Sequence, residues 1–480
     1  MENRDQESPS SSYSCGLSIL KFPIYLLATF AVFFLLIQIQ SMQNPPSWAL
    51  VRQQWGKTAT NESCISNSSV DAVVSAQYLE ELKNMSSKLR KSITFLPLKD
   101  LRYADAPRRA TREGEIQYQH FPSEASDGRV LCLRGRDRQN GARNSYALAW
   151  PETLPPNATL ARGVTFVSNN HYDYDNIWHG LSATMPFVAW HIKSRCAAGP
   201  ARWILYHWGE LRTNMAPWVR TLLESTFGGG PLKIFDFKGT DGGGDGAGTT
   251  CFEEAVVMRH NEGGMSNEKR MEVYDLMRCR SRAYCGVKTR DGNNGRSSVD
   301  IGMTLFMRDG ARSFKNASAV IRVFEKECRK VEGCRLTVAY TRNLTVCEQV
   351  ELMSLTDILV SAHGAQLSNI FLMDKNSSLM EFFPKGWLEL AGVGQYIFQW
   401  LASWSGMIHE GVWRDPAAGE PCPFPEKDGR CFEVVKDGKI GHNETYFSEW
   451  AGKVLNDVKM RKAAARASTS HVSDLCGCKL

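Results

Sequence analysis

The sequence has no C-x-x-C spacing, no histidine pair to complete a metal set and no glycine loop ending in G-K-[ST]. These absences remove zinc-finger-type sites and a P-loop. It also lacks a strong charge of either sign: 57 basic against 51 acidic residues leave +6 over 480 residues. That balance does not argue for nucleic acid, and no helix-turn-helix, zinc-knuckle or RNP-like pattern supports it, so no nucleic-acid partner is expected. No internal repeat is visible and no heptad pattern persists. Long apolar runs are missing too, with one exception near the N-terminus.

That exception is Ile19 to Ile39, ILKFPIYLLATFAVFFLLIQI, with Lys21 as its only charge. A span of about 20 apolar residues crosses a bilayer core. It runs on into QIQSMQNPPSW without an A-x-A cleavage pattern, which favours an uncleaved anchor over a signal peptide. The flanking charges are mixed, so the sequons orient it instead. N-x-[ST] occurs at Asn61, Asn67, Asn84, Asn157, Asn316, Asn343, Asn376 and Asn443, all after the anchor. Thirteen of the 14 cysteines also follow it, which predicts disulfides in an oxidising lumen, with one thiol left free or intermolecular. The expectation is a type II single-pass protein of the Golgi membrane, the endoplasmic reticulum being the second choice.

With 43% hydrophobic and 22% charged residues, most of the chain should fold, and 480 residues exceed one ordinary core. The boundaries read as a cytosolic tail (1–18), the anchor (19–39), a stem (40–125), two α/β units (126–298 and 299–455) and a C-terminal tail (456–480). Within the stem, the rhythm of Val73, Val74, Ala76, Leu79 and Leu82 predicts a helix over Val70 to Lys91. From Arg129, strand-like and helix-like segments alternate: RVLCLRG, GVTFVSNN, NIWHGLSATMPFVAWHIK, RWILYHWG, MAPWVRTLLESTFG and PLKIFDF. A second series starts near Asp300 with IGMTLFM, SAVIRVFEKECRKV, RLTVAYT, CEQVELMSL, DILVSAHG and SSLMEFFP. Such alternation predicts parallel sheets covered by helices, hence two Rossmann-like domains with a cleft between them.

In open α/β sheets, ligands sit beyond the carboxyl ends of the strands. Three ends in the second series carry cations or histidine: Arg308 and Arg312 after TLFM, Arg342 after LTVAYT, and His363-Gly364-Ala365 after DILVSA. A helix starting past His363 would turn free N–H groups toward an anion, and Gly364 and Ala365 leave room for a phosphate. Glu381, in SLMEFFP, is placed at the next strand end, where a carboxylate can accept from ribose hydroxyls. The plainer readings are arginines paired to Asp309 or Glu325, a structural histidine and a solvated glutamate.

The block S-A-H-G-A-Q-L-S-N-I-F (361–371), followed by M-E-F-F-P (380–384), resembles the signature of glycosyltransferase family 61. Arg308, Arg312 and Asn316 resemble that family's R-x-x-x-R-x-x-x-N block, and Tyr174, Asn176 and His179 its Y-x-N-x-x-H block. The resemblance covers roughly residues 165 to 400. It implies a GT-B-type fold of two Rossmann-like domains, a UDP-sugar donor held mainly by the C-terminal one, inversion at the anomeric carbon and no obligatory metal. The transferred sugar would be of the xylose, arabinose or N-acetylglucosamine class.

Transfer requires the leaving diphosphate to be stabilised and the acceptor hydroxyl to lose a proton. Arg308, Arg312, Asn316, His363, Gly364, Ala365 and Glu381 are the donor-side candidates. His179, backed by Asp175, is the candidate base, with Asn176 beside it on the acceptor side. The implied partners are a UDP-sugar, a glycan or glycoprotein acceptor and the membrane; a homodimer is left open. Two alternatives remain: a Mn-dependent GT-A-type transferase using Asp173-x-Asp175, and an inactive lumenal lectin or scaffold. Trp178, Trp203, Trp208, Trp400 and Trp404 are either glycan platforms or core.

Overall fold

The computed structural model describes residues 70–103, 118–228, 230–235, 248–258, 265–287, 300–385, 387, 392–416, 422–425, 428–467 and 478. The predicted anchor (19–39), Asn61, Asn67 and most of the glycine loop at 239–249 lie outside these residues. Among the described residues no helix is long and apolar enough to cross a membrane. By contact the chain falls into two units, Met1–Lys83 and Asn84–Leu480, so both sheets belong to one compact unit.

The stem helix α1 spans Val70–Lys91, the range its apolar rhythm predicts. Tyr78, Leu79, Leu82, Met85 and Leu89 on it are exposed.

The first sheet has eight strands. They are β1 Leu96–Pro97, β2 Tyr118–Phe121, β3 Val130–Arg134, β4 Ser145–Ala149, β5 Thr159–Asn170, β6 Arg202–His207, β7 Glu210–Arg212 and β8 Thr249–Met258. Their order is β1-β4-β3-β8-β5-β6-β7, with β2 also paired to β8. Only β6 and β8 lie parallel to β5; the other pairings are antiparallel. The expectation of a wholly parallel first sheet is therefore corrected. A parallel pair needs a crossover of about a dozen residues or more, usually a helix. β6 and β7 are instead joined by Trp208 (φ 54°) and Gly209 (φ 86°), a two-residue turn with both φ positive that forces a hairpin. Helix α2 (Ile177–Lys193) follows β5 and α3 (Pro217–Phe227) follows β7. The strand expected at PLKIFDF reduces to one bridge from Ile234 to Trp203. Strand β8 and helix α4 (Asn267–Tyr284) were not legible in advance.

The second sheet has five strands, all parallel: β9 Ile301–Met307, β10 Cys334–Tyr340, β11 Ile358–Ala362, β12 Ser378–Phe383 and β13 Ile408–Arg414. Their order is β10-β9-β11-β12-β13. Helix α5 (Ala317–Arg329) links β9 to β10, and α6 (Val346–Ser354) leads into β11. Alternation along the strands divides the burial. Val360, Ala362, Met380 and Phe382 enter a core closed by Val320, Phe324 and Phe447, from α5 and the last helix. Leu359, Leu379 and Phe306 face the other way, into a core shared with α2, α3 and α4 of the first half. That period-2 split is what a sheet buried on both sides requires.

The halves are also stitched by polar groups. Arg278 of α4, whose side chain is 9% exposed, donates to Phe371 O (2.6 Å) and Ser405 O (2.7 Å) and pairs with Asp275 (2.7 Å). Trp218 Nε1 donates to Asn369 Oδ1 at 3.0 Å. Disulfides join Cys132 to Cys251, Cys196 to Cys478, Cys285 to Cys347, Cys328 to Cys334 and Cys422 to Cys431. Two of these are local; the others bridge residues far apart in sequence, among them one tie from the C-terminal tail to the end of α2.

Candidate functional site

Chain order fixes where the second sheet opens. From β9 the chain moves to β10 on one side, then crosses to β11 on the other. The adjacent carboxyl ends of β9 and β11 form a topological switch point, where the helices that cover the sheet diverge and a ligand fits. Arg308 follows β9 there, and His363-Gly364 follows β11.

Arg308 Nη1 lies 3.4 Å from both His363 O and Gln366 Oε1. Arg312, in the left-handed region at φ 58°, places its guanidinium 4.9 Å from the centre of the Trp387 ring. The Nε atoms of both arginines are buried without a hydrogen-bond partner. The carboxylates nearest in sequence are engaged elsewhere: Asp309 pairs with Arg342 at 3.1 Å and Glu325 with Arg329 at 2.5 Å. Among the described residues neither Arg308 nor Arg312 has an ion-pair partner. Burial lowers the pKa of Arg308, with Asp437 pulling back. Burial pushes Arg312 down to about 10, the charge of Arg308 adds to this, and Asp437 opposes it. Two half-buried cations that repel each other thus have only Asp437, beyond ion-pair distance, to offset them among the described residues, a deficit that an anion would correct.

Gly364 makes the approach possible. A Cβ at this position would collide with Arg308 Nη1 and Gln366 Oε1. The expected helix after His363 is a 3₁₀ segment, Ala365–Leu372, with Leu367 N–H donating to Gly364 O at 2.9 Å. The remaining polar residues of SAHGAQLSN are ties. Ser361 Oγ donates to Phe306 O on β9 (2.8 Å), Gln366 Nε2 to Ala362 O (2.8 Å), and Asn369 bridges Trp218 and Gln349.

Glu381 is placed differently from its expected position. It pairs with Ser361 inside the sheet rather than ending a strand, and its side chain is 0% exposed. His363 Nδ1 meets Oε1 at 2.5 Å and His409 Nε2 meets Oε2 at 2.8 Å, so no oxygen is left for a ribose. Burial raises its pKa, but the hydrogen bonds and charges of the two histidines outweigh that and leave it lowered. His363 stacks on Phe383 (4.5 Å) beside Trp387 (4.8 Å) and Phe398 (5.2 Å). His409 was not among the sequence candidates; a histidine on the last strand of the parallel sheet was the signal available. Asn316 is exposed and caps α5, its Oδ1 accepting from Ala319 N–H at 3.0 Å. Asn84, Asn157, Asn343, Asn376 and Asn443 are exposed as well.

On the other half, Tyr174 is buried and its hydroxyl donates to Ser168 O (2.8 Å) and Tyr206 O (3.1 Å), which ties the loop before α2 to the ends of β5 and β6. Asn176 caps α2 through Trp178 N–H (3.1 Å), and His179 follows one turn in, stacked on Tyr172 at 4.1 Å. Burial lowers the His179 pKa, and the carboxylate that opposes this is Asp173, not Asp175. Asp175 is exposed, while Asp173 Oδ1 accepts from the N–H groups of Asp175 and Asn176 (3.1 Å each). Among the described residues no three acidic, histidine or cysteine side chains could hold a metal ion. Trp178, next to His179, packs 5.8 Å from Phe398, the ring that also touches His363. Trp178 and His363 thus flank one phenylalanine. Of the other tryptophans, Trp203 is core, Trp208 and Trp400 are exposed, and Trp404 lies under Arg270.

Residues 201–380 match the family model Glycosyltransferase 61. The resemblance read from the 361–371 block and the two arginines is thereby shown, and the match supports a glycosyltransferase. It takes in Arg308, Arg312 and His363-Gly364-Ala365; His179 lies before it and Glu381 just past it. No curated protein matches. Among solved structures, rubredoxin oxygen:oxidoreductase from Desulfovibrio gigas is similar at 9% identity over 46% of this chain and 45% of that one. Its TM-score is 0.24, and the chain spans less than half of that protein's length.

Proposed function

We propose that the chain is an inverting transferase that moves a sugar from a UDP-sugar to a hydroxyl of a glycan or glycoprotein, without an obligatory metal. One observation carries the reading: Arg308 and Arg312 stand half-buried, each with an unpartnered Nε and no ion-pair carboxylate among the described residues, and Gly364 lets Arg308 close on the end of β11. A diphosphate supplies the two or more negative charges they lack. As the glycosidic bond to the diphosphate breaks, charge grows on the leaving oxygens, where preorganised guanidinium groups are most effective. His179, kept neutral by burial, is the base for the acceptor hydroxyl, with Asp173 rather than Asp175 behind it. The two sheets would act as donor and acceptor halves, and the 19–39 segment would hold them in the Golgi lumen.

The test is UDP binding and UDP-sugar hydrolysis by the lumenal region, with and without EDTA, across UDP-xylose, UDP-arabinose and UDP-N-acetylglucosamine. UDP binding and release from one of these donors, unchanged by EDTA, is the expected outcome. No UDP binding would overturn the donor assignment, and release abolished by EDTA would overturn the metal-free mechanism.

A further inference from the structure

The family match ends before Glu381, and nothing in it involves His409. Yet His363, Glu381 and His409 form a continuous buried chain whose side chains are 5%, 0% and 8% exposed. The local geometry that builds it is specific. Leu379 pairs with His409 but Glu381 pairs with Val412, so β13 carries one extra residue between these pairs. Gly411, at φ 104°, absorbs that bulge. The same turn brings Gly411 N–H to His409 Nδ1 at 3.3 Å.

This contact assigns the protons. A backbone N–H only donates, so His409 Nδ1 is an acceptor and its proton resides on Nε2, facing Glu381 Oε2. The carboxylate is held ionised by its two neighbours, so it accepts from His363 Nδ1–H as well. His363 is left with Nε2, which makes no hydrogen bond among the described residues. Its backbone carbonyl lies beside the Arg308 guanidinium.

We propose that His409 is a positioning residue: through Glu381 it holds a proton on His363 Nδ1, so that the second proton His363 takes up sits on Nε2 and faces the anion held by Arg308 and Arg312. The inference rests on the diphosphate reading above. At metal sites, second partners of this kind fix a histidine's tautomer and ring angle, and losing one typically costs about 10- to 100-fold. Other charged groups around the chain are Arg308, Arg312 and Asp437 on the anion side, and Glu410, next to His409 on β13 and 3.3 Å from Arg461 of the helix Glu444–Ala467.

The experiment compares wild type with His409→Gln, His409→Leu and Glu381→Gln. Imidazole ¹⁵N shifts are recorded for the unliganded proteins, and UDP affinity is measured from pH 5.5 to 8.5. Wild type should show His363 protonated at Nδ1 and His409 at Nε2, with UDP binding that tightens as His363 gains its second proton. His409→Gln keeps an N–H donor and should hold both the tautomer and the affinity within about threefold. His409→Leu strips one donor from Glu381, whose carboxylate then holds the His363 protons less firmly. The Nδ1–H preference should weaken, the pH at which UDP binding tightens should fall, and near pH 7 UDP should bind about tenfold more weakly. If the leucine variant does not fold, Glu381→Gln carries the test, since it removes the charge and should shift the same pH dependence to lower pH. A wild-type tautomer and pH profile in the substituted proteins, with UDP still bound, overturns the relay alone. Failure of wild type to bind UDP overturns the relay's role and the donor reading together.

Discussion

Replacing Gly364 with alanine should cost UDP affinity while leaving the fold intact. The new methyl would overlap Arg308 Nη1 and Gln366 Oε1, both at the free ends of long side chains. The backbone at φ 159° and ψ 168° is a region essentially reserved for glycine, so alanine should also cost about 1–3 kcal/mol of stability, read separately by urea denaturation. The affinity cost falls on the guanidinium, which must leave its place against His363 O. A hydrogen bond to a charged group is worth about 1.5–3 kcal/mol, so UDP should bind about 10- to 150-fold more weakly by titration calorimetry. A double-mutant cycle isolates the cause. If the methyl acts only by displacing Arg308, Gly364→Ala should add almost nothing on top of Arg308→Ala. Additive losses would show that Gly364 matters for another reason, and an unchanged affinity in the single variant would refute the geometry.

Arg312→Met removes a cation that burial and Arg308 both disfavour. Allowing for solvent screening, it should stabilise the unliganded protein by about 1 kcal/mol in urea denaturation while weakening UDP binding; a less stable variant would contradict the unpaired-charge argument. Arg278→Ala should cost about 3 kcal/mol, since it leaves the Phe371 and Ser405 carbonyls buried without their donor; a loss below about 1 kcal/mol would mean that water replaces it. Because burial lowers the His179 pKa, its neutral form persists to more acidic pH than the usual 6.5. The acid limb of kcat/KM should therefore lie below that value and rise toward it in Tyr172→Ala, which uncovers the ring; a limb that does not move excludes His179 as the base.

Much of this was legible in the sequence because it depends on local periodicity. The alternation of IGMTLFM, DILVSA and SSLMEFF with amphipathic segments specified a parallel sheet buried on both faces, and the stem helix followed from its apolar rhythm alone. The arginines and His363-Gly364 could be placed because a strand's carboxyl end is a sequence position. The first sheet was misjudged because pairing direction depends on how short the connections are, and β8 pairs with strands more than a hundred residues away in β3.

By itself, then, the sequence determined most strands and helices of the second half and the places of Arg308 and His363 at its strand ends. Only the tertiary structure decided what those residues are for. It half-buried Arg308 and Arg312 with no carboxylate at ion-pair distance among the described residues, Asp437 acting on both from farther off. It also enclosed Glu381 between two histidines instead of exposing it to a ribose. The enclosure of Glu381 depends on strand order and on one bulge at Gly411, and its two histidines lie 18 and 28 residues away in sequence. Burial sets the energy of a charge, and burial is a property of the assembled sheet rather than of any segment of it.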